Sequence, residues 1–129
     1  MLYGDARTDA LPFVRKQSAQ LASKMRFVAA QVIAMFEQDL WLRLAGHANA
    51  MAAMLAERAR QAGIEITQSV DANEIFPLLT PGQLEATLER FRYYVWDEVP
   101  REDGRNCVRW VTSWDTAEDD VEALVSALT

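Results

Sequence analysis

The chain has 129 residues, half of them hydrophobic and a quarter charged, with a formal net charge of −6 at pH 7. That is the composition of one ordinary globular domain, long enough to bury roughly two thirds of its unfolded surface. It speaks against nucleic acid and anionic membranes as partners, which need a basic patch. It also speaks against a membrane span, because no apolar run approaches the roughly 20 residues required.

Met1 to Ala10 carries Asp5, Arg7 and Asp9, unlike a signal peptide, and the opening MLYG is compatible with the end of a strand. Pro12 breaks any helix that starts earlier. From Arg15 to Gln38 the apolar residues Leu21, Met25, Val28, Val32 and Met35 or Phe36 recur at helical spacing. They predict one long helix. Arg15, Lys16, Lys24 and Arg26 are four of the 13 basic residues of the chain. The plain account of them is a solvated first turn and a half; the sharper one is a phosphate or carboxylate contact.

Asp39 is placed to cap a second helix, whose stripe is Trp41, Leu44 or Ala45, Ala48, Met51 or Ala52, Leu55 and Ala59. Gly63 then stands where a C′ glycine belongs. Gly46 costs that helix about 1 kcal/mol. The lone His47 reads as a surface or capping group, and it leaves no His-rich metal site, so no metal is expected. Met25, Met35, Met51 and Met54 read as core filler.

The period changes to two at Ile64–Thr67, the first predicted strand. Asn73–Leu79 is the second, demoted to an edge or a bulge by Pro77. Thr80, Pro81 and Gln83 announce a helix with a capping box and Pro at its first position. Leu84, Leu88 and Phe91 form its buried face. Tyr93–Val99 is a third strand, and Asp103-Gly104 marks the turn that joins it as a hairpin to a fourth, Asn106–Asp115. Thr116 and Asp119 form a further capping box. Val121, Leu124, Val125 and Leu128 give the last helix its i, i+3, i+4, i+7 stripe. The order is helix, helix, strand, strand, helix, strand, strand, helix. It predicts an α+β fold: two long N-terminal helices, then a small antiparallel sheet covered by helices. We expect a single domain over 1–129. Residues 1–38 form a long helical region reaching toward another domain or subunit, and 39–129 the small α+β domain.

The fourth strand carries the functional question. In NCVRWVTSWD, Val108, Trp110, Thr112 and Trp114 share one face, and Cys107, Arg109, Val111 and Ser113 the other. An arginine inside an apolar strand is costly unless something negative meets it. The partner is either a side chain, such as Asp97 or Glu98 across the hairpin, or the carboxylate of a ligand. Cys107, the single cysteine, allows no internal disulfide and fits a reducing cytoplasm. Nothing else assembles a catalytic constellation. There is no Gly-rich phosphate loop, dinucleotide fingerprint, nucleophile elbow or Cys/His pair. Asp119 and Asp120 read as helix-end charge.

Two stretches resemble a known family. FVRKQSAQLASKMRFVAAQ followed by DLWLRLAGHANAMAAMLAE, and then CVRWVTSWDTAEDDVEAL, are similar to the second half of threonine aldolases and related β-eliminating amino-acid lyases. The resemblance runs from about Leu11 to the end of the chain. It implies a fold-type I pyridoxal-phosphate enzyme, with a large cofactor-holding domain and a small C-terminal α+β domain. The cofactor acts as electron sink, and the protein chooses the bond that breaks. In threonine aldolases this is the Cα–Cβ bond, giving glycine and an aldehyde. The family's carboxylate-binding arginine matches Arg109, its substrate-side lysine matches Lys16, and its cofactor-phosphate arginine, acting across a subunit boundary, matches Arg26. A homo-oligomer acting on an amino acid is implied. The family's Schiff-base lysine has no match, since neither Lys16 nor Lys24 stands at that position, so this chain alone is expected to bind no cofactor and to be inactive. Two other readings stay open: a stand-alone structural or self-association domain, and a small regulatory module that binds amino acids through Arg109.

Overall fold

The computed structural model describes residues 8–97 and 99–129. The MLYG opening and Glu98 lie outside them. The chain divides into two compact units, Met1–Leu40 and Trp41–Thr129.

In the first unit, α1 (Leu11–Gln17) follows a 3-10 turn at Thr8–Ala10, and α2 spans Met25–Phe36. Pro12 falls in the first turn of α1, where its missing N–H leaves no bond unmade. The single helix expected over Arg15–Gln38 is two helices with a break between them. The Gln20 N–H donates to the Arg15 carbonyl (3.0 Å) and the Ala19 N–H to that of Lys16 (3.2 Å), which closes α1 as a Schellman motif. Ala19 takes the left-handed conformation this requires (φ 53°), and Lys24 takes it again just before α2 (φ 61°). The periodicity of Leu21, Met25 and Val28 concealed the break, because spacing reports which face is apolar and not whether the backbone is continuous. Every side chain of α1 and α2 is exposed, Phe13 and Phe36 among them. Met25 and Met35, expected as core, are therefore at the surface.

The long helix α3 (Leu40–Gln61), which lies in the second unit from Trp41 on, begins one residue after Asp39, whose own φ of 55° is not that of an ordinary N-cap. The helix ends as expected. Gly63 sits at φ 82°, the Ile64 N–H reaches the Ala59 carbonyl (2.9 Å) and the Gly63 N–H that of Arg60 (2.9 Å). Ala52, Ala56 and Ala59 are fully buried, and Leu55 nearly so. These alanines share one buried cluster with Val108 and Trp110 of the sheet.

The sheet is built on one strand, β4 (Asn106–Val111). β1 (Glu74–Ile75) and β2 (Leu78–Leu79) pair antiparallel with it, in the registers Ile75↔Trp110 and Leu78↔Cys107. The interruption between them falls at Pro77, which has no N–H to give, while its carbonyl accepts from Val108 (3.0 Å). β3 (Tyr94–Val95) pairs antiparallel with β4 as the predicted hairpin, Tyr94 facing Arg109. Gly104, at φ 79°, turns the connecting loop. The expected strand Ile64–Thr67 contributes only an isolated bridge from Ile66 to Pro77. Its N–H and C=O groups serve Phe76 and Leu78, which are too few for a ladder.

α4 (Pro81–Leu88) opens with the predicted capping box: Gln83 N–H to Thr80 Oγ1 (3.3 Å) and Thr80 N–H to Gln83 Oε1 (3.1 Å). α5 (Glu118–Ser126) starts one residue later than the expected box. Asp120, not Asp119, accepts from the backbone N–H of Ala117 (2.9 Å). The Thr116 hydroxyl accepts instead from the Ser113 N–H (2.9 Å). Val121, Leu124 and Leu128 of the predicted stripe are buried with Ile75, Leu79, Val108 and Trp110. Each aliphatic side chain so buried contributes roughly 1.5–3 kcal/mol. The buried Thr112 hydroxyl donates to the Ala48 carbonyl (2.7 Å), pinning the end of β4 to α3.

Candidate functional site

Alternation sorts β4 into two faces. Val108, Trp110 and Thr112 turn to the core, and Cys107, Arg109 and Val111 to the other side. The pairing registers carry the same division to the neighbours. Glu74 lies opposite Val111, Tyr94 opposite Arg109, and the Trp96 N–H donates to the Cys107 carbonyl (2.8 Å). One face of the sheet therefore gathers Glu74, Phe76, Arg109, Tyr94 and Trp96.

Arg109 is half-buried there. Its guanidinium lies over the Trp96 ring, 5.7 Å from the centroid, and Phe76 meets the same ring edge to face at 5.3 Å. Its Nη2 donates to Glu74 Oε1. That hydrogen bond raises the guanidinium above its ordinary value, against an opposing effect of burial, so the group stays charged. Nε of Arg109 is buried and meets no acceptor. The guanidinium thus has an aromatic wall, one bound carboxylate and a buried Nε–H without an acceptor.

Among the described residues the acid that meets Arg109 is thus Glu74, from β1, and not Asp97 of the hairpin; Glu98 lies outside them. Asp97 pairs with Arg101 (3.6 Å). Lys16 lies in the last turn of α1 and Arg26 in the first turn of α2, both exposed, in the other unit from Arg109. The end of α1 meets the start of α2 where Arg15 Nη2 donates to Met25 Sδ (2.7 Å). The Arg26 guanidinium lies over its neighbour Phe27, 5.1 Å from the ring centroid. His47 is exposed, as expected of a surface group, and its Nε2 lies 2.8 Å from the Thr116 carbonyl, which precedes α5.

Glu74, Phe76 and Trp96 were missed in the sequence as members of the site. One signal was there: Glu74 is the acidic residue of a strand otherwise apolar from Ile75 to Leu79, and it shares a phase with Phe76. Which strand it joins, and so which arginine it meets, depends on pairing that no local pattern carries.

A cleft of about 230 Å³ opens elsewhere in the unit, among Tyr93, Trp110, Asp120 and Leu124. Arg109 does not line it. Trp110 Nε1, like Arg109 Nε, is buried without a partner.

No family model matches the chain. Two curated relatives do. A low specificity L-threonine aldolase of Pseudomonas aeruginosa is 39% identical over 111 residues, 84% of this chain and 30% of the relative. One of a Pseudomonas species is 36% identical over 113 residues, 86% of this chain and 31% of the relative. Among solved structures, a threonine aldolase of Leishmania major superposes with a TM-score of 0.80 at 27% identity, over 91% of this chain and 34% of that one. A serine palmitoyltransferase of Sphingomonas wittichii shares the fold over 64% of this chain and 23% of its own, with a TM-score of 0.51 at 18% identity. The α+β architecture expected from the sequence is thus that of part of a threonine aldolase. The chain belongs to the threonine-aldolase family of fold-type I pyridoxal-phosphate enzymes, and spans about a third of the length of the relatives it matches.

Proposed function

We propose that the chain is the C-terminal portion of a threonine-aldolase-like lyase, which cleaves a β-hydroxy-α-amino acid to glycine and an aldehyde, and that Arg109 anchors the substrate α-carboxylate. The observation that carries this is the guanidinium on the central strand, set against Trp96 and already holding a carboxylate, that of Glu74. Choosing the bond that breaks at Cα requires the substrate to be held at a fixed angle. Two parallel hydrogen bonds to its carboxylate fix angle as well as distance. Lys16 is the second substrate contact in this reading, and Arg26 reaches the cofactor phosphate of a neighbouring subunit in a cytoplasmic homo-oligomer.

The residues present do not by themselves fit pyridoxal phosphate. The unit that carries Arg109 has no lysine from Trp41 to Thr129, and Lys16 and Lys24 are exposed. His47 is exposed and committed to the Thr116 carbonyl. This chain supplies a carboxylate anchor; the cofactor's aldehyde anchor has to come from the rest of a complete enzyme. The chain alone is therefore catalytically silent.

A chimaera tests the proposal. This chain replaces the matching 111-residue stretch of the Pseudomonas aeruginosa relative, and threonine cleavage is followed with the cofactor present. Turnover is expected, and Arg109→Ala lowers kcat/KM. Two charge-assisted hydrogen bonds of about 1.5–3 kcal/mol each are at stake, so the loss is at least tenfold. If Arg109→Ala left KM and kcat as they were, the anchoring role would be wrong.

A second reading, a stand-alone structural unit, is favoured by the Arg109–Glu74 pair, which already satisfies the charge of the arginine within the sheet. It predicts a chimaera that folds and has no turnover.

A further inference from the structure

The two-point edges of a guanidinium both include Nη2: the side edge pairs it with Nε, the end edge with Nη1. In Arg109 that shared nitrogen is the one Glu74 occupies. A carboxylate arriving on the side edge has to displace Glu74. One arriving on the end edge shares Nη2 with it and brings a second negative charge beside the first. Nε, the other donor of the side edge, is buried and unmatched, so Glu74 satisfies that edge at one point only. Among the described residues, Glu74 is the carboxylate in contact with the guanidinium. Phe76 and Trp96 are apolar rings, and Tyr94 faces Arg109 in the register of the hairpin.

We propose that Glu74 is an internal competitor at Arg109. It holds the guanidinium in place when no ligand is bound, and it sets how tightly a ligand carboxylate binds by having to yield Nη2. This deepens the reading of Arg109 as a carboxylate anchor and rests on it. Glu74 is a positioning residue with an effect on affinity, and it takes no part in bond cleavage. The register fixes it in that place. Glu74 faces Val111, one pleat beyond Arg109 on the same face of the sheet, and β1 ends at Ile75, just before Pro77 interrupts the ladder.

The test is acetate binding to the whole 129-residue chain, followed on the Arg109 Nε–H resonance, with acetamide as the uncharged control. Glu74→Gln keeps the shape of the side chain and removes its charge. A half-exposed ion pair of this kind is worth up to about 1 kcal/mol, so Glu74→Gln is expected to bind acetate about two- to fivefold more tightly, with no change for acetamide. Glu74→Asp, which keeps the charge on a shorter arm, should stay near the unmodified chain. Equal or weaker acetate binding by Glu74→Gln overturns the competition, and so does the absence of any acetate-dependent shift in that variant. An equal gain for acetamide also overturns it, because a merely structural change would not distinguish the charge. In the chimaera, Arg109→Ala reports on the anchoring role separately. A loss there, with no gain in Glu74→Gln, would leave the anchor standing and remove only the competitor.

Discussion

The two units spend similar sequences differently. α2 reads MRFVAAQVIAMF and α3 contains HANAMAAMLAERA, both rich in alanine and methionine. In α3 the stripe Ala48, Met51, Ala52, Leu55, Ala56 and Ala59 is buried. In α2 every side chain is exposed, Phe27, Val32 and Ile33 included. An apolar stripe states a demand for cover, and only a partner surface meets it. α3 has the sheet built on β4 beneath it, and the first unit offers no comparable layer among its described residues. The energetic consequence is that hydrophobic stabilisation of this chain is concentrated in the second unit.

The widest gap between the units should appear on truncation. Trp110, nearly fully buried against Tyr93 in an edge-to-face contact at 6.3 Å, is expected to cost about 3–5 kcal/mol on replacement by alanine. Ile33→Ala in α2 should change the urea unfolding free energy by less than about 0.5 kcal/mol, as exposed substitutions do. If the two changes cost the same, the exposed face of α2 is covered in solution and the contrast between the units is lost.

A smaller effect separates the two Schellman closures. Both α1 and α3 end with a left-handed C′ residue, Ala19 in one and Gly63 in the other. An L-residue pays roughly 1–2 kcal/mol for that conformation, and glycine pays nothing. Gly63→Ala meets no atom within 4 Å of the added Cβ, so backbone strain is its whole cost, about 1 kcal/mol of the urea unfolding free energy. Ala19→Gly should act the other way, raising the helical ellipticity of the first unit and slowing its amide exchange. Exchange of the α1 amides unchanged by Ala19→Gly would mean that the break at 18–24 is not held by this residue.

These cases also show what was legible in the sequence. Gly63 at C′ and Thr80 with Gln83 as a capping box were readable because each is fixed by contacts within about five residues. The hairpin of Tyr94 with Arg109 was readable because Asp103-Gly104 supplies the turn. The break in the first helix was not, since nothing in QSAQLASK is a glycine or proline and the left-handed turns fall on alanine and lysine. Ile64–Thr67 alternates as a strand should, but has a partner at only one bridge. Arg109 was legible as a charge needing a partner. Glu74, 35 residues away in sequence, could be found only through the register of β1 on β4. Local chemistry wrote the caps and turns, and pairing at long range wrote the site.

The smallest expected effect is on the alkaline side, and it belongs to the second unit alone. Burial pushes the Cys107 thiol up, with the nearby Thr67 hydroxyl opposing. Burial also pushes the Tyr93 phenol up, against its hydrogen bond with Thr87. Both groups thus bind their protons more tightly folded than unfolded. The stability they contribute is fully present below the ordinary thiol range, near pH 8.5, and is lost as pH rises through the higher folded values. The urea midpoint of the second unit should therefore fall between pH 8 and pH 10. The fall should be shallower in Cys107→Ala and shallower again when Tyr93→Phe is added. The thiol should react slowly with an alkylating reagent at pH 8 in the native chain and rapidly in urea, because the thiolate is the nucleophile and burial keeps it scarce. A midpoint that rises over this range would mean that neither group is held neutral by the core, and that the half of the chain which buries its apolar stripe does not exclude water where β3 and β4 meet.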